Sequence, residues 1–255
     1  MMHIIKLHIT GGKTGTDTFF EYAEHYFSLL YRSGQITNEE WQYEPTPNGV
    51  SVNLYCIEKD SYDDKNATKY ALNHKNRLLN ELGCHLEFQY VGVAPEFDLT
   101  TIPTQSEFFI LRSLAFSPLI DGTTLNPIPL YKIPDTNHDG IGYDNIHFWE
   151  NNYARIEGLW HNGSINEEWM QNQLQHHTSD LNQQGIECCQ KIEEVTGTPT
   201  YYFLFSYRAW GQQKERARKC PHCGGDWLIE GATFNDFYGF KCDDYRLVSE
   251  ISSNR

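Results

Sequence analysis

Apolar and polar positions alternate at the start of the chain, where Ile5, Leu7 and Ile9 read as one buried face of a strand. The turn-rich stretch Gly11-Gly12-Lys13-Thr14 follows. The period then lengthens, and Phe19, Tyr22, Tyr26, Phe27 and Leu30 mark one face of a helix over about 18–33, with Gly34 as its stop. Next come Trp41-Gln42-Tyr43-Glu44, the turn Pro45-Thr46-Pro47-Asn48-Gly49, and the alternating Val50, Val52, Leu54 and Cys56, a hairpin pattern. A second helix is expected over 63–82, burying Ala67, Ala71, His74, Leu78 and Leu82 and closed by Gly83. Alternation returns at Leu86, Phe88 and Tyr90. The order βαββαβ predicts an α+β fold in which residues 1–94 form a ferredoxin-like sheet with two helices on one face.

Residues 95–213 read as a second mixed unit. Its first part is rich in Pro and Thr, with short strands expected at 108–111 and 128–131. A helix over 143–160 presents Ile146, Trp149, Tyr153, Ile156 and Trp160 on one side. A longer helix starts near Ser164, where Ser164 and Glu167 have capping-box spacing, carries Met170, Leu174, Leu181, Cys188, Ile192 and Val195 inward, and stops at Gly197. An apolar strand over 200–207 follows Pro199.

Composition narrows the class. Hydrophobic residues make up 39% of the 255, enough for a core, and no run of 18 apolar residues offers a membrane span. Mean hydropathy is −0.59, as in soluble proteins. The N-terminus MMHIIKLHITGGK has no apolar signal core, so a cytoplasmic protein is expected. Seven cysteines, an odd number without a secretory signal, suit reduced thiols and a metal site. The net charge of −14 is uneven: residues 95–207 hold 4 basic and 15 acidic side chains, whereas 208–255 hold 8 and 7. Such an acidic segment repels a phosphate backbone and attracts a basic protein, although acidity also serves solubility.

Residues 214–255 carry the sharpest motif. Cys220-Pro221-His222-Cys223-Gly224-Gly225 has the form of a zinc knuckle: Pro presets φ after the first thiol, and Gly after the second permits a left-handed residue. Cys242 follows at the spacing of a ribbon, so Cys220, Cys223 and Cys242 are the candidate ligands of a structural Zn(2+). A complete ribbon would place cysteine at 245, where this chain has Tyr245. A fourth donor must then come from Asp243, Asp244, His222 or water. The motifs KCPHCGGDW (219–227), FKCDDYRLVS (240–249) and TPTYYFLFSY (198–207) resemble a poorly characterised bacterial family, a domain of unknown function described as zinc-ribbon-containing and nucleic-acid-binding. The resemblance implies a structural zinc on the three cysteines, and Tyr245 is where this chain departs from it.

Weaker patterns compete. Gly11-Gly12-Lys13-Thr14 lies between strand and helix like a phosphate loop, but Leu7 stands where a further glycine belongs, so a helix-capping loop is the better reading. Asp135, Asn137 and Asp139 match the first ligands of a calcium loop, with Ile146 where its bidentate Glu belongs. His138, His147, His161, His176 and His177 are candidate bases without a nucleophile signature, and Cys188-Cys189 reads as buried and inert. The leading expectation is a non-enzymatic interaction protein whose acidic face binds a basic protein, in the manner of an inhibitor or immunity protein that neutralises a basic toxin. The alternatives are nucleic-acid binding through the ribbon with Arg208, Lys214, Arg216, Arg218 and Lys219, and a metal- or histidine-dependent enzyme.

Overall fold

A computed structural model of the chain describes residues 2–94, 105–163, 165–207 and 211–252. Ser164 and Arg208 lie outside the described residues. The fold is mixed α+β with two sheets. It divides into two compact units, one from residues up to 102 with 126–144, the other from 103–125 with 145–255.

The first unit is built on strands β1 (Met2–Thr10), β2 (Glu44–Thr46), β3 (Gly49–Cys56) and β4 (His85–Ala94), in the order β2-β3-β1-β4. Every neighbouring pair is antiparallel, and Leu7 lies opposite Val52 on one side and Phe88 on the other. The alternation places Ile5, Leu7, Ile9, Val52 and Leu54 on one buried face. Helix α1 (Asp17–Arg32) covers that face with Phe19, Ala23, Tyr26, Phe27 and Leu30, and Thr16 Oγ1 caps it by accepting from Phe19 N–H. The loop before α1 is closely packed: a Cβ on Gly12 would lie 1.9 Å from the Leu82 carbonyl oxygen, and Lys13 N–H donates to that oxygen. That packing explains the glycine without a phosphate.

The helix expected over 63–82 is interrupted. A 3-10 turn (Asp64–Asn66) precedes extended Ala67 and Thr68. Thr68 Oγ1 then caps α2 (Lys69–Asn76), which ends in a wider turn over Arg77–Glu81. A strand over 128–131 does not form either. Leu130–Lys132 is a 3-10 turn, consistent with the missing N–H groups of Pro127 and Pro129.

The second unit holds β5 (Phe109–Leu111), β6 (Leu119–Asp121), β7 (Thr200–Phe203), β8 (Phe240–Cys242) and β9 (Leu247–Ser249) in the order β6-β5-β7-β9-β8. The central β5, β7 and β9 run parallel, and the edges β6 and β8 are antiparallel to their neighbours. Strand β9, within residues 214–255, pairs with β7 and extends this sheet. Helices α3 (Asp144–His161), α4 (Glu167–Gln175), α5 (Asp180–Thr196) and α6 (Gln212–Arg216) complete it. The long helix expected from 164 to 197 is two helices. Ser179 caps α5, and the fully buried Asn182 donates from Nδ2 to the carbonyls of Gln173 (2.9 Å), Leu174 (3.1 Å) and His176 (2.8 Å), satisfying the frayed end of α4. Asn166 precedes α4, with φ at +50° and no side-chain cap. Among the described residues no helix is long and apolar enough to cross a membrane.

Candidate metal centre

The knuckle closes on itself through its backbone. Cys220 N–H donates to Gly225 O and Gly224 N–H to Cys220 O, both at 2.9 Å, with Gly224 at φ +71°. Opposite it, Cys242 ends β8, and a tight turn at Arg246 (φ +50°) leads into β9. Arg246 is held in place by Glu193, with Nε 3.1 Å from Oε2. The three Sγ atoms lie within 4.8 Å of one another, and Cys223 and Cys242 are 3.9 Å apart. Thiolates on a tetrahedral zinc, with Zn–S of about 2.3 Å, sit about 3.8 Å apart, so the spacing suits such an ion. Cys220 and Cys242 are buried while Cys223 is exposed.

The environment treats the thiols differently. The Gly225 N–H, followed by the Cys220 thiol, lowers the Cys223 thiol below its ordinary value. Burial pushes Cys242 up to about 12, with the Tyr245 N–H opposing it. A bound cation reverses that balance, because a coordinating thiol is deprotonated.

Two of the expected fourth donors, Asp243 and His222, are engaged elsewhere. Asp243 accepts from Lys241 Nζ at 2.6 Å and from Tyr201 Oη. His222 lies flat on Tyr245, with ring centroids 3.3 Å apart at an interplanar angle of 6°. Asp244 is exposed and outside the thiol group. Among the described residues the metal-ligating group here is the three cysteines alone, so a bound ion would keep one outward position for water or an added ligand. His177, a candidate base by sequence, has its ring edge-on to both His222 (5.7 Å) and Tyr245 (6.4 Å), a position that its sequence context does not indicate. It comes from the corner between α4 and α5, and only the break in the helix brings it here.

The basic flank is mixed: the Arg218 side chain is turned into the fold, while Lys214, Arg216 and Lys219 are exposed. Arg218 is buried, with Nε 3.3 Å from Glu215 Oε1 and Nη2 donating to Ser249 Oγ and Glu250 O. Arg216 donates to Ala232 O, and Lys219 pairs with Asp226. Lys214 is exposed. The calcium pattern is consumed by a turn: Asn137 Nδ2 donates to Ile141 O, and Asp139 accepts from Ile141 N–H. Asp135, Asn137 and Asp139 form no carboxylate cluster of metal-binding type among the described residues. Of the candidate bases, His147 is buried with Nδ1 3.4 Å from Glu150, and His138 is exposed. Burial pushes the Cys188 thiol up to about 12, and Cys189 is raised as well, for the same reason.

Two family models match the chain, each described as a domain of unknown function: DUF2310 over residues 104–205 and DUF8594 over 211–255. A Haemophilus influenzae protein described as uncharacterized is 33% identical over 232 residues, 87% of this chain and 87% of its own. A second uncharacterized protein of the same organism is 37% identical over 172 residues, 66% of this chain and 82% of its own. No solved structure gives a significant match. The chain thus belongs to the same family as these two Haemophilus influenzae proteins, a family of unknown function whose C-terminal domain in this chain carries the cysteine trio.

Proposed function

We propose that the protein is a non-enzymatic interaction protein in which a structural zinc, held by Cys220, Cys223 and Cys242, staples the C-terminal strands, and in which the acidic second unit binds a basic protein. The observation that carries the metal part is the convergence of three thiols from a knuckle and a strand end. The chemistry such an ion supplies there is cross-linking, tying the knuckle to the β8–β9 hairpin. The docking part is supported by α4, where Trp169 (49% exposed) and the neighbouring Ile165 (72%) flank the exposed carboxylates Glu167 and Glu168. An aromatic anchor beside carboxylates suits a basic surface, and a basic toxin met by an inhibitor or immunity protein is one partner of that charge. The strand order β2-β3-β1-β4, with β1 antiparallel to both neighbours, supports reading the first unit as ferredoxin-like. Because Arg218 is engaged by Glu215, Ser249 and Glu250, and Arg216 by the Ala232 carbonyl, nucleic-acid binding by this flank is the weaker reading.

Purification from the native host, with metal analysis and mass spectrometry of the same sample, tests both parts. About one zinc per chain is expected, lost in Cys220→Ser and Cys242→Ser, together with a basic co-purifying protein released by Trp169→Ala. Metal-free protein whose melting is indifferent to added zinc removes the staple. Retention of nucleic acid in place of protein removes the docking part.

A further inference from the structure

The parallel strands β5, β7 and β9 end on the same side of the second sheet, and the carboxyl ends of parallel strands are where open α/β sheets tend to receive ligands. Just past the end of β7, Leu204 lines a cavity of about 430 Å³. Its other walls are Gln175, Lys214, Ala217, Arg218, Lys219 and Pro221. Among the described lining residues three are cations and none is a carboxylate. In a chain of net charge −14 three cations on one wall stand out, although Glu215 pairs with Arg218 and Asp226 with Lys219. We propose that this cavity binds a small phosphorylated ligand, a mono- or diphosphate group being held by Lys214, Arg218 and Lys219.

Arg218 makes the site more than a pair of surface lysines. Its guanidinium carbon stacks over Phe240 (4.2 Å) and Trp227 (5.1 Å), and hydrogen bonds to Ser249 Oγ (3.1 Å) and Glu250 O (2.8 Å) fix its plane. A cation already ordered this way adds little entropy cost on binding. Lys219 is tied to Asp226, whose side chain is 91% exposed, and a surface pair of that kind yields readily to a doubly charged anion. Leu204, Ala217 and Pro221 supply apolar wall. The volume falls in the range of small-molecule sites and is too small for a folded polymer, which favours a metabolite-sized ligand over a nucleic acid. The inference does not rest on the zinc or on the basic protein partner.

Calorimetric titration of the full chain with inorganic phosphate, pyrophosphate and a single-stranded oligonucleotide tests it. Pyrophosphate should bind saturably and more tightly than phosphate, and Lys214→Ala and Lys219→Ala should each weaken it about tenfold, the value of one charge-assisted hydrogen bond. Pyrophosphate also ligates zinc, so Cys242→Ser separates the two sites, and binding should be kept in it. Absence of saturable heat, or affinity in both lysine variants equal to that of the native chain, overturns the site. So does loss of binding in Cys242→Ser alone, which assigns the anion to the metal. Binding of the oligonucleotide only, unchanged by the lysine substitutions, overturns it as well.

Discussion

The two sheets are assembled by different means. In the first, β1, β3 and β4 span 9, 8 and 10 residues, and each carries its own alternation of apolar and polar positions. A one-residue slip would turn Ile5, Leu7 and Ile9 out of the core, so the pattern alone specifies register. In the second, β5, β6, β8 and β9 have 3 residues each and β7 has 4, too few for alternation to decide anything. Single polar side chains hold these short strands in place. Tyr202 Oη in β7 donates to Asn182 Oδ1 at 2.6 Å, Arg218 reaches Ser249 and Glu250 beside β9, and Arg246 pairs with Glu193. The lesson is one of redundancy: many interchangeable apolar contacts support the first sheet, while the second combines a smaller apolar cluster of Ile110, Ile120, Tyr201, Phe203 and Val248 with a few polar contacts of unequal weight.

The comparison is most exposed to Asn182→Asp. The replacement has the same shape but offers a carboxylate where three carbonyls now receive an N–H. Leaving one buried and two part-buried acceptors unpaired should cost roughly 3 kcal/mol, read as a loss of denaturant midpoint. A cost below about 1 kcal/mol would mean that the corner between α4 and α5 is not what holds β7. Leu7→Ile, a volume-conserving change at the centre of the first sheet, is expected to cost less than about 1.5 kcal/mol in the same assay. If the apolar swap proves the more damaging of the two, the ordering of the two units is wrong.

The same difference governs what was legible beforehand. Helix α1 falls at Asp17–Arg32 against an expected 18–33, and the hairpin forms around Pro47-Asn48 with Thr46 opposite Gly49, because these elements are specified by neighbours in the chain. The knuckle was legible for the same reason. The break at 176–179 was not, since periodicity continues across it and the residue that enforces it, Asn182, acts through carbonyls on the previous helix. Nor does spacing reveal that Arg218 is buried on Phe240 and Trp227; in sequence it is one more member of a basic run. Spacing likewise does not place His177, in sequence only a candidate base, beside His222 and Tyr245, because its position depends on a turn that only tertiary contacts create.

The smallest effect concerns the acids beside this polar framework. Burial raises the Glu250 carboxyl above its ordinary value, Arg112 and Arg218 pull it down, and Glu157, itself raised by burial, pushes it up. A folded-state value above the unfolded one means that the protonated acid is favoured by folding. The contribution is fully present below the unfolded value of about 4.3 and is lost as pH rises through the raised folded value. Glu250→Gln keeps an acceptor for the Ser206 N–H that now points at Oε1 and removes the buried charge. The variant should therefore melt about 2 °C higher than the native chain near pH 7, with the two curves meeting below about pH 4. Glu193 supplies the opposite sign in the same unit. Hydrogen bonding from Arg246 lowers its value, so its contribution is present above the unfolded value and fades as pH falls through the lowered one. Because that pair is more than one-third exposed on the Arg246 side, Glu193→Gln should lower stability at neutral pH by only a few tenths of a kcal/mol. Were Glu250→Gln to destabilise at pH 7 as Glu193→Gln does, Glu250 would be one more ion-pair partner fixing β9, and the second sheet would depend on charge more heavily than its hydrogen bonds alone indicate.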